Sequence, residues 1–305
     1  MKKFLWKISL PIAPEAEHAI SQLLQKLTGQ PAVIHVDSQR QTTTACLYLD
    51  ATSAWAHFTQ AALRSALKDL KASGLRLGPG GMQFKKLRRE DWAESWKRHF
   101  KPLEIGSRLL LKPSWNKRKP KTGQVLVVLD PGLSFGTGHH PTTRFCLEQL
   151  ANFRDHTRSQ SFLDIGTGSG ILAIAAAKLG FSPVVAVDFD PEAVRIARAN
   201  AQTNAVARQI RFACEDLARS PLRAERQYDL VCANLIFDLL VAQADRIVNR
   251  LKPGGVLVLA GILRSQFTGV RKEYEKRGLR LLNSRTEKEW ASGAFVAHAG
   301  YKKQL

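Results

Sequence analysis

The hydrophobic positions of residues 102–305 fall into short apolar runs that predict buried strands, separated by amphipathic or alanine-rich stretches that predict helices. The strand-like runs are residues 124–129, 161–165, 184–187, 228–233 and 256–260. Short and nearly continuous apolar runs are typical of a parallel sheet that is buried on both faces. Residues 279–284 and 294–299 predict an antiparallel pair that closes this sheet. The pattern therefore predicts a Rossmann-like, doubly wound α/β domain.

Residues 1–87 show a different alternation. Strands are predicted over residues 4–10, 32–36, 43–49 and 82–87, with helices over 14–27 and from about 52 to 71. In the first helix Ile20, Leu24 and Leu27 lie on one face. The order β-α-β-β-α-β is that of a smaller, ferredoxin-like α+β domain. Because this region contains no catalytic constellation, we interpret it as a substrate-recognition domain.

Residues 88–101 predict a helix that links the two domains. Trp92, Trp96 and Phe100 recur there at i, i+4 and i+8 and would form an aromatic stripe of the kind that usually serves packing. The expected organisation is a recognition domain over 1–87, a linker helix over 88–101 and the larger domain over 102–305.

The stretch SFLDIGTGSGILAIAAAKLG contains the main candidate for a ligand site. Its strand ends at Asp164, and Gly166, Gly168 and Gly170 follow before an alanine-rich helix. Glycines free the backbone of side-chain bulk, so we expect this loop to deliver its N–H groups to a ligand at a helix N-terminus. The next strand ends at Asp188, where the second strand of a nucleotide-binding unit carries the carboxylate that holds ribose hydroxyls.

Two kinds of ligand fit this glycine loop. Gly168, Gly170 and Ala173 also satisfy the GxGxxA form of the dinucleotide fingerprint, which leaves a dinucleotide open. Asp164 favours the other ligand, because an anion just ahead of the loop suits the ammonium of a methionine moiety better than a pyrophosphate. The balance favours S-adenosylmethionine.

The overall charge of the chain bears on its partners. Lys and Arg number 46 against 26 Asp and Glu, a formal net charge of +20. This charge favours encounters with RNA, ribonucleoprotein or an acidic surface, and solubility is the alternative explanation. The four cysteines show neither metal-ligand spacing nor a disulfide framework, which predicts reduced thiols in a cytoplasmic protein without a metal site. No segment approaches the roughly 18 apolar residues of a membrane span.

A second loop, DPGLSFGTGHHPTT, follows the strand over 124–129 and precedes a helix that starts near Pro141. At this point the sequence resembles the ribosomal protein L11 methyltransferases of the PrmA type. The resemblance rests on this motif, on LDIGTGSGILAIAAAKLG, on VDFDPEAV with the NA..N pattern after it, and on YDLVCANLI. It is strong from residue 90 to about residue 261.

The resemblance implies a class I S-adenosylmethionine-dependent methyltransferase that modifies lysine side chains and the α-amino group of ribosomal protein L11. It also implies that four of the candidate residues contact the cofactor, namely Thr143, Gly166, Asp188 and Asn234. The full set of expected cofactor-binding residues is Thr143, Asp164, Gly166, Gly168, Asp188 and Asn234. Two positions depart from the family pattern: His139 stands where threonine is usual, and Thr167 stands where cysteine is common.

Asn234 is the main catalytic candidate. It ends a predicted strand, which places its amide at the carboxyl edge of a parallel sheet, where ligands bind. Its carbonyl can accept a hydrogen bond from a substrate amine and orient the lone pair of that amine, whereas a turn cap is the structural alternative. The amine must be neutral to attack, and His140 is a candidate base with a structural role as its alternative.

Two further functions remain open at this stage. One is N-methylation of RNA or of another protein, for which the net charge argues. The other is a non-catalytic, S-adenosylmethionine-binding ribosome assembly factor, against which Asn234 and the complete HPTT sequence argue. The expected partners are ribosomal protein L11, free or in the ribosome, and ribosomal RNA contacted through the basic surface. The chain is expected to be monomeric.

Overall fold

The computed structural model describes residues 4–13, 16–28, 32–37, 42–49, 61–69, 81–88, 100–130, 138, 140–222 and 226–297. The chain divides into two units, 1–99 and 100–305. Each unit has hydrophobic clusters of its own. Within the described ranges, no helix is both long enough and apolar enough to cross a membrane.

The first unit contains a four-stranded antiparallel sheet. Its elements are β1 (Phe4–Ile12), α1 (Glu17–Thr28), β2 (Val33–Asp37), β3 (Thr42–Leu49), α2 (61–69) and β4 (Gln83–Arg88). The strand order β2-β3-β1-β4 is that of the ferredoxin-like arrangement that the sequence predicts. Ile20 and Leu24 of α1 share a core with Leu63 of α2 and with Leu47 of β3. The helices therefore cover one face of the sheet.

The predicted linker helix falls almost entirely on residues 89–99, which lie outside the described residues. Of its aromatic stripe, only Phe100 is described, and Phe100 is not helical. The linker and the predicted domain boundaries thus remain predictions.

The second unit begins with a three-stranded sheet and continues into a seven-stranded one. The small sheet consists of β5 (Leu103–Ile105), β6 (Leu109–Lys112) and β7 (Val125–Val128). The large sheet consists of β8 (Phe162–Ile165), β9 (Val184–Asp188), β10 (Ile210–Cys214), β11 (Tyr228–Asn234), β12 (Leu251–Leu263), β13 (Leu279–Glu287) and β14 (Trp290–Ala297). Its order is β10-β9-β8-β11-β12-β14-β13, parallel except that β14 runs antiparallel to β12 and β13. The predicted doubly wound fold is confirmed.

Helices cover both faces of the large sheet. They are α3 (Pro141–Phe153), α4 (Ile171–Lys178), α5 (Pro191–Thr203), α6 (Phe237–Ala242), α7 (Ala244–Val248) and α8 (Phe267–Glu275). Phe162 and Val184 lie in a core with α3, α4 and α5. Leu163 and Val185 lie in the opposite core with α6, α7 and α8. Because side chains alternate along a strand, Asp164 lies on the same face as Phe162, towards α4.

The segment LKPGG at residues 251–255 makes an irregular start to β12. It forms the first part of β12, where Leu251 pairs with Tyr228 and Val256 pairs with Leu230. The two strands lose register between these pairs, and Gly254 has a left-handed φ of 72°. Residues 252–255 therefore form an irregular stretch between two paired positions of β12.

Asp229, near the amino end of β11, is hydrogen-bonded to β12 and to Ser161, the residue before β8. Its Oδ2 accepts hydrogen bonds from the N–H (2.8 Å) and Oγ (2.6 Å) of Ser161 and from Nζ of Lys252 (2.7 Å). Burial raises the pKa of Asp229, but these hydrogen bonds outweigh the burial and lower the pKa to about 2. The ionised carboxylate is therefore a stabilising element of the fold.

Replacing Asp229 with asparagine should lower the free energy of unfolding at pH 7 by about 1 to 3 kcal/mol. The contribution of the carboxylate is fully present above the unfolded-state pKa of about 4 and is lost as the pH falls through about 2. Urea unfolding of parent and variant should therefore diverge at pH 7 and converge near pH 2. A difference that is the same at both pH values would show that charge is not the cause.

Candidate active site

Three buried oxygen atoms without a hydrogen-bond partner mark one region of the second unit. In the described part of the chain, four buried side-chain oxygens lack such a partner, and they belong to Glu104, Thr143, Asp164 and Asn234. Glu104 forms ion pairs with basic side chains of the β6–β7 connection, so its charge is compensated. Buried polar atoms in folded proteins nearly always have partners. The oxygens of Thr143, Asp164 and Asn234 therefore indicate a site for a polar ligand.

The elements that carry these three residues are neighbours. Asp164 on β8 lies beside Cys232 of β11, so Asn234 lies two residues farther along, at the carboxyl edge of the sheet. Thr143 lies on α3, which packs against α4, β11 and β12. This edge is where ligands bind in open parallel sheets.

The glycine loop makes its tight turn through three left-handed residues. The φ values of Gly166, Gly168 and Gly170 are 73°, 52° and 81°. A Cβ atom at Gly166 would lie 2.4 Å from Leu235 Cδ2, and one at Gly170 would lie 2.9 Å from Ala197 Cβ. The loop thus requires glycine for both its conformation and its close packing.

The N–H groups of this loop are used differently from the prediction. Those of Gly166 and Thr167 donate to Val187 O at 2.9 and 3.0 Å, and that of Gly170 donates to Thr167 O at 2.8 Å. The N–H of Gly168 donates to the Asp188 carboxylate at 2.9 Å. The expectation that the loop delivers these groups to a ligand was wrong, because the end of β9 and the loop itself already satisfy them. A dinucleotide pyrophosphate would need such donors, so the geometry argues against that ligand.

Asp188 ends β9 as predicted and is 8% exposed. Its Oδ2 accepts from the N–H of Gly168, and its Oδ1 accepts from the N–H of Asp190 at 3.1 Å. Each carboxylate oxygen retains a second lone pair that can accept from a hydroxyl. Asp188 thus stabilises the glycine loop through a hydrogen bond. Its binding of ribose hydroxyls remains a prediction.

The space for the Asn234 side chain depends on Gly261, which was not predicted from the sequence. Gly261 follows the part of β12 that pairs with β11 and has a φ of 82°, and a Cβ atom there would lie 2.5 Å from Leu235 O and 3.1 Å from Asn234 Oδ1. The glycine therefore leaves room for the Asn234 amide. A glycine directly after a predicted core strand was the only signal available in the sequence.

His140 is the N-cap residue of α3 and is half-buried. Its Nδ1 lies 2.7 Å from Thr142 Oγ1, and its ring meets Trp290 edge-on with the centroids 4.9 Å apart. Burial lowers the pKa of His140, opposed by the nearby carboxylate of Glu289. Burial therefore favours the neutral imidazole, which is the form that can accept a proton. Trp290 is distant in sequence and was not predicted.

The loop DPGLSFGTGHHPTT is described at residues 130 and 138 and from residue 140 onwards. Gly138 is buried with a φ of 82°, and a Cβ atom there would lie 2.7 Å from Leu111 Cδ2 and 3.3 Å from Ile171 Cδ1. Because Ile171 is the first residue of α4, the end of this motif lies next to the glycine loop. His139, which departs from the family pattern, lies outside the described residues.

Comparison with known proteins decides the family. The family described as Ribosomal protein L11 methyltransferase (PrmA) matches residues 4–297. The chain belongs to this L11 methyltransferase family. The predicted resemblance is therefore confirmed, and with it the assignment as an S-adenosylmethionine-dependent methyltransferase.

Individual relatives agree with this assignment to the L11 methyltransferase family. The chain is 46% identical over 206 residues to a ribosomal protein L11 methyltransferase of Trichlorobacter lovleyi, covering 66% of each chain. It is 42% identical over 212 residues to that of Geobacter metallireducens, covering 69% of this chain and 68% of the relative. The chain thus spans about two thirds of the length of these relatives.

A solved structure supports the fold. The crystal structure of the ribosomal protein L11 methylase from Lactobacillus delbrueckii subsp. bulgaricus superimposes with a TM-score of 0.59 at 26% identity. The match covers 65% of this chain and 100% of that chain. It agrees with a Rossmann-like methyltransferase fold in the larger part of this protein.

Proposed function

We propose that this chain transfers methyl groups from S-adenosylmethionine to lysine side chains and the α-amino group of ribosomal protein L11. The observation that carries the proposal is the set of unpartnered buried oxygens on Thr143, Asp164 and Asn234. All three residues are expected ligand contacts from the sequence. The named activity of the relatives supports the choice of substrate.

The polar groups of this site fit S-adenosylmethionine. The Asp188 carboxylate would hold the ribose hydroxyls, and Asp164 Oδ1 would receive the ammonium of the methionine moiety. Gly166 and Gly168 allow the ligand to approach the backbone closely, and Thr143 Oγ1 supplies a further polar contact. Bound S-adenosylmethionine supplies a methyl group that its sulfonium already activates.

The protein's own task is to bring a neutral amine to that methyl group. Asn234 Oδ1 accepts a hydrogen bond from the amine N–H and thereby fixes the direction of the nitrogen lone pair. Alignment of two bound reactants can supply about 7 to 11 kcal/mol of a barrier. His140, neutral and held by α3 and Trp290, is the residue we assign to accept the proton that the amine loses.

The first unit is assigned to recognition of ribosomal protein L11, free or in the ribosome, in the cytoplasm. We propose that the protein acts as a monomer and that its positive charge contacts ribosomal RNA when the substrate is ribosome-bound. This division leaves cofactor binding and methyl transfer to the second unit.

The activity is tested by methyl transfer from labelled S-adenosylmethionine to purified ribosomal protein L11, to other ribosomal proteins and to ribosomal RNA. Label should enter L11, and mass spectrometry should place it on lysine side chains and the α-amino group. Label in RNA alone would identify an RNA methyltransferase. Cofactor binding without label in any acceptor would indicate an assembly factor.

Replacing Asp188 with alanine should weaken S-adenosylmethionine binding by about 1.5 to 3 kcal/mol, because it removes a charged acceptor. The variant also loses the hydrogen bond that the Gly168 N–H donates to Asp188. Calorimetry measures the affinity directly. Asp190→Ala is a matched control, since Asp190 caps α5 through the Glu192 N–H and should affect stability more than affinity.

Unchanged affinity in Asp188→Ala would refute the ribose assignment. The parent protein should also bind NAD no better than an unrelated nucleotide. Tight, saturable NAD binding would instead revive the dinucleotide interpretation.

A further inference from the structure

The hydroxyl of Thr167 reaches the carboxylate that the proposed cofactor site depends on. Thr167 lies between Gly166 and Gly168, and its Oγ1 donates a 2.6 Å hydrogen bond to Asp164 Oδ2. The two residues are 5% and 1% exposed. Hydrogen bonds to an ionised acceptor are short and roughly twice as strong as neutral ones. The orientation of the Asp164 carboxylate therefore depends on Thr167.

The two oxygens of Asp164 have different environments. Oδ2 accepts the hydrogen bond from the Thr167 hydroxyl. Oδ1 is buried and has no partner among the described residues. A buried carboxylate oxygen left without a donor is costly, so a cationic donor at Oδ1 would be strongly favoured.

We propose that Thr167 is a positioning residue that fixes the Asp164 carboxylate and keeps it ionised, so that Oδ1 can receive the ammonium group of S-adenosylmethionine. This inference rests on the proposed function. A thiol is a weaker hydrogen-bond donor than a hydroxyl.

The charge state of Asp164 is finely balanced. Burial raises its pKa to about 7, the hydrogen bonds from Thr167 and Ala173 lower it, and the neighbouring Asp188 raises it. Burial therefore opposes the ionised form of Asp164, and the Thr167 hydrogen bond favours it. Without the Thr167 hydroxyl, the pKa would be higher and the ionised fraction smaller.

Among the described residues, two other titratable groups face Asp164, and they differ in their effect on its pKa. Asp188 at the end of β9 is the facing anion. Cys232 of β11 adjoins Asp164 and is hydrogen-bonded to Cys146 of α3. Burial raises the pKa of Cys232 well above its ordinary value, so this thiol is neutral across the range of interest. Changes between pH 6 and 8 are therefore assigned to Asp164.

The sign of the pH dependence follows from this balance. An ammonium ligand binds the ionised carboxylate, so below the ligand-free pKa of about 7 binding must first release a proton. Affinity should therefore rise from pH 6 to 8 and then level off. In Thr167→Val, which keeps the shape of the side chain but removes its donor, this rise should move to higher pH.

The test compares two ligands that share the adenosine part. S-adenosylhomocysteine carries the ammonium group, whereas 5′-methylthioadenosine lacks the whole amino-acid moiety. Calorimetry at pH 6, 7 and 8 should show that Thr167→Val lowers S-adenosylhomocysteine affinity about tenfold or more at pH 7, with a smaller loss at pH 8. Affinity for 5′-methylthioadenosine should stay within about twofold.

Two further variants test whether Thr167 positions the Asp164 carboxylate or only stabilises the glycine loop. Thr167→Ser keeps the hydroxyl and should restore the parental pH profile, and Thr167→Cys should lie between the parent and Thr167→Val. Equal losses for both ligands would overturn the inference, because they would show that Thr167 only supports the loop. A parental affinity for S-adenosylhomocysteine that is flat from pH 6 to 8 would also overturn it while leaving the proposed function intact. Failure of the parent to bind S-adenosylhomocysteine at all would refute the proposed function itself.

Discussion

Asn234→Ala is expected to lower the rate of methyl transfer about tenfold to a hundredfold while changing S-adenosylmethionine affinity much less. An orienting hydrogen bond to the amine acts chiefly in the transition state, so its loss appears in kcat. One such contact is worth about 1 to 3 kcal/mol. The unpartnered, inaccessible Oδ1 of Asn234 in the described structure is the basis for this expectation. Single-turnover kinetics at saturating cofactor, with calorimetry of cofactor binding, separates the two effects.

Asn234→Asp sharpens the same test. It keeps the size and one acceptor oxygen but adds a negative charge that stabilises a protonated, non-nucleophilic amine. Its activity should therefore recover as the pH rises, and more steeply than that of the parent.

A buried asparagine at the C-terminal end of α5 provides the control. The Asn204 side chain accepts from the Val128 N–H at 2.8 Å and donates to Val128 O at 2.7 Å and to Asn200 O at 2.8 Å, so its amide is used in joining α5 to β7. Asn204→Ala should lower stability without lowering the rate per folded molecule. If Asn234→Ala and Asn234→Asp both turn over at the parental rate, Asn234 is only a strand cap and the mechanism is wrong.

The sequence predicted the parts of the site that lie at the ends of strongly hydrophobic strands. Asp164, Asp188 and Asn234 each end a β-branched or apolar run, and parallel strands bring such ends to one edge. Chain order and strand pattern were therefore sufficient to place these residues at one edge of the sheet. The ferredoxin-like order of the first unit was likewise readable from its alternation.

Contacts between segments distant in sequence could not be predicted in this way. The Val187 carbonyl accepts two of the loop N–H groups, and only the paired strands reveal this. The packing of Trp290 against His140 joins β14 to α3 across much of the chain. Gly261 of β12 leaves space for the side chain of Asn234 on the neighbouring strand β11. Each of these depends on tertiary geometry that periodicity does not encode.

Removing the first unit should abolish efficient methylation of ribosomal protein L11 while leaving the cofactor site intact. The second unit has two hydrophobic clusters drawn entirely from residues beyond 100, so a protein that begins at Phe100 is expected to fold. Its S-adenosylmethionine affinity should stay within about threefold of the parent, because every candidate cofactor residue lies in the second unit. The L11 methylation rate at limiting substrate should fall a hundredfold or more, about 2.7 kcal/mol, since the recognition energy is lost.

A short lysine-containing peptide from L11 distinguishes lost recognition from lost chemistry. Such a peptide lacks the folded surface that we assign to the first unit, so the full chain and the shortened protein should methylate it at similar, slow rates. Supplying residues 1–99 as a separate protein should not restore L11 methylation at micromolar concentration, because linkage in one chain provides the effective concentration that the two units require. If the shortened protein methylates L11 at the parental rate, substrate recognition belongs to the second unit. If it fails on the peptide as well, the first unit contributes to the active site.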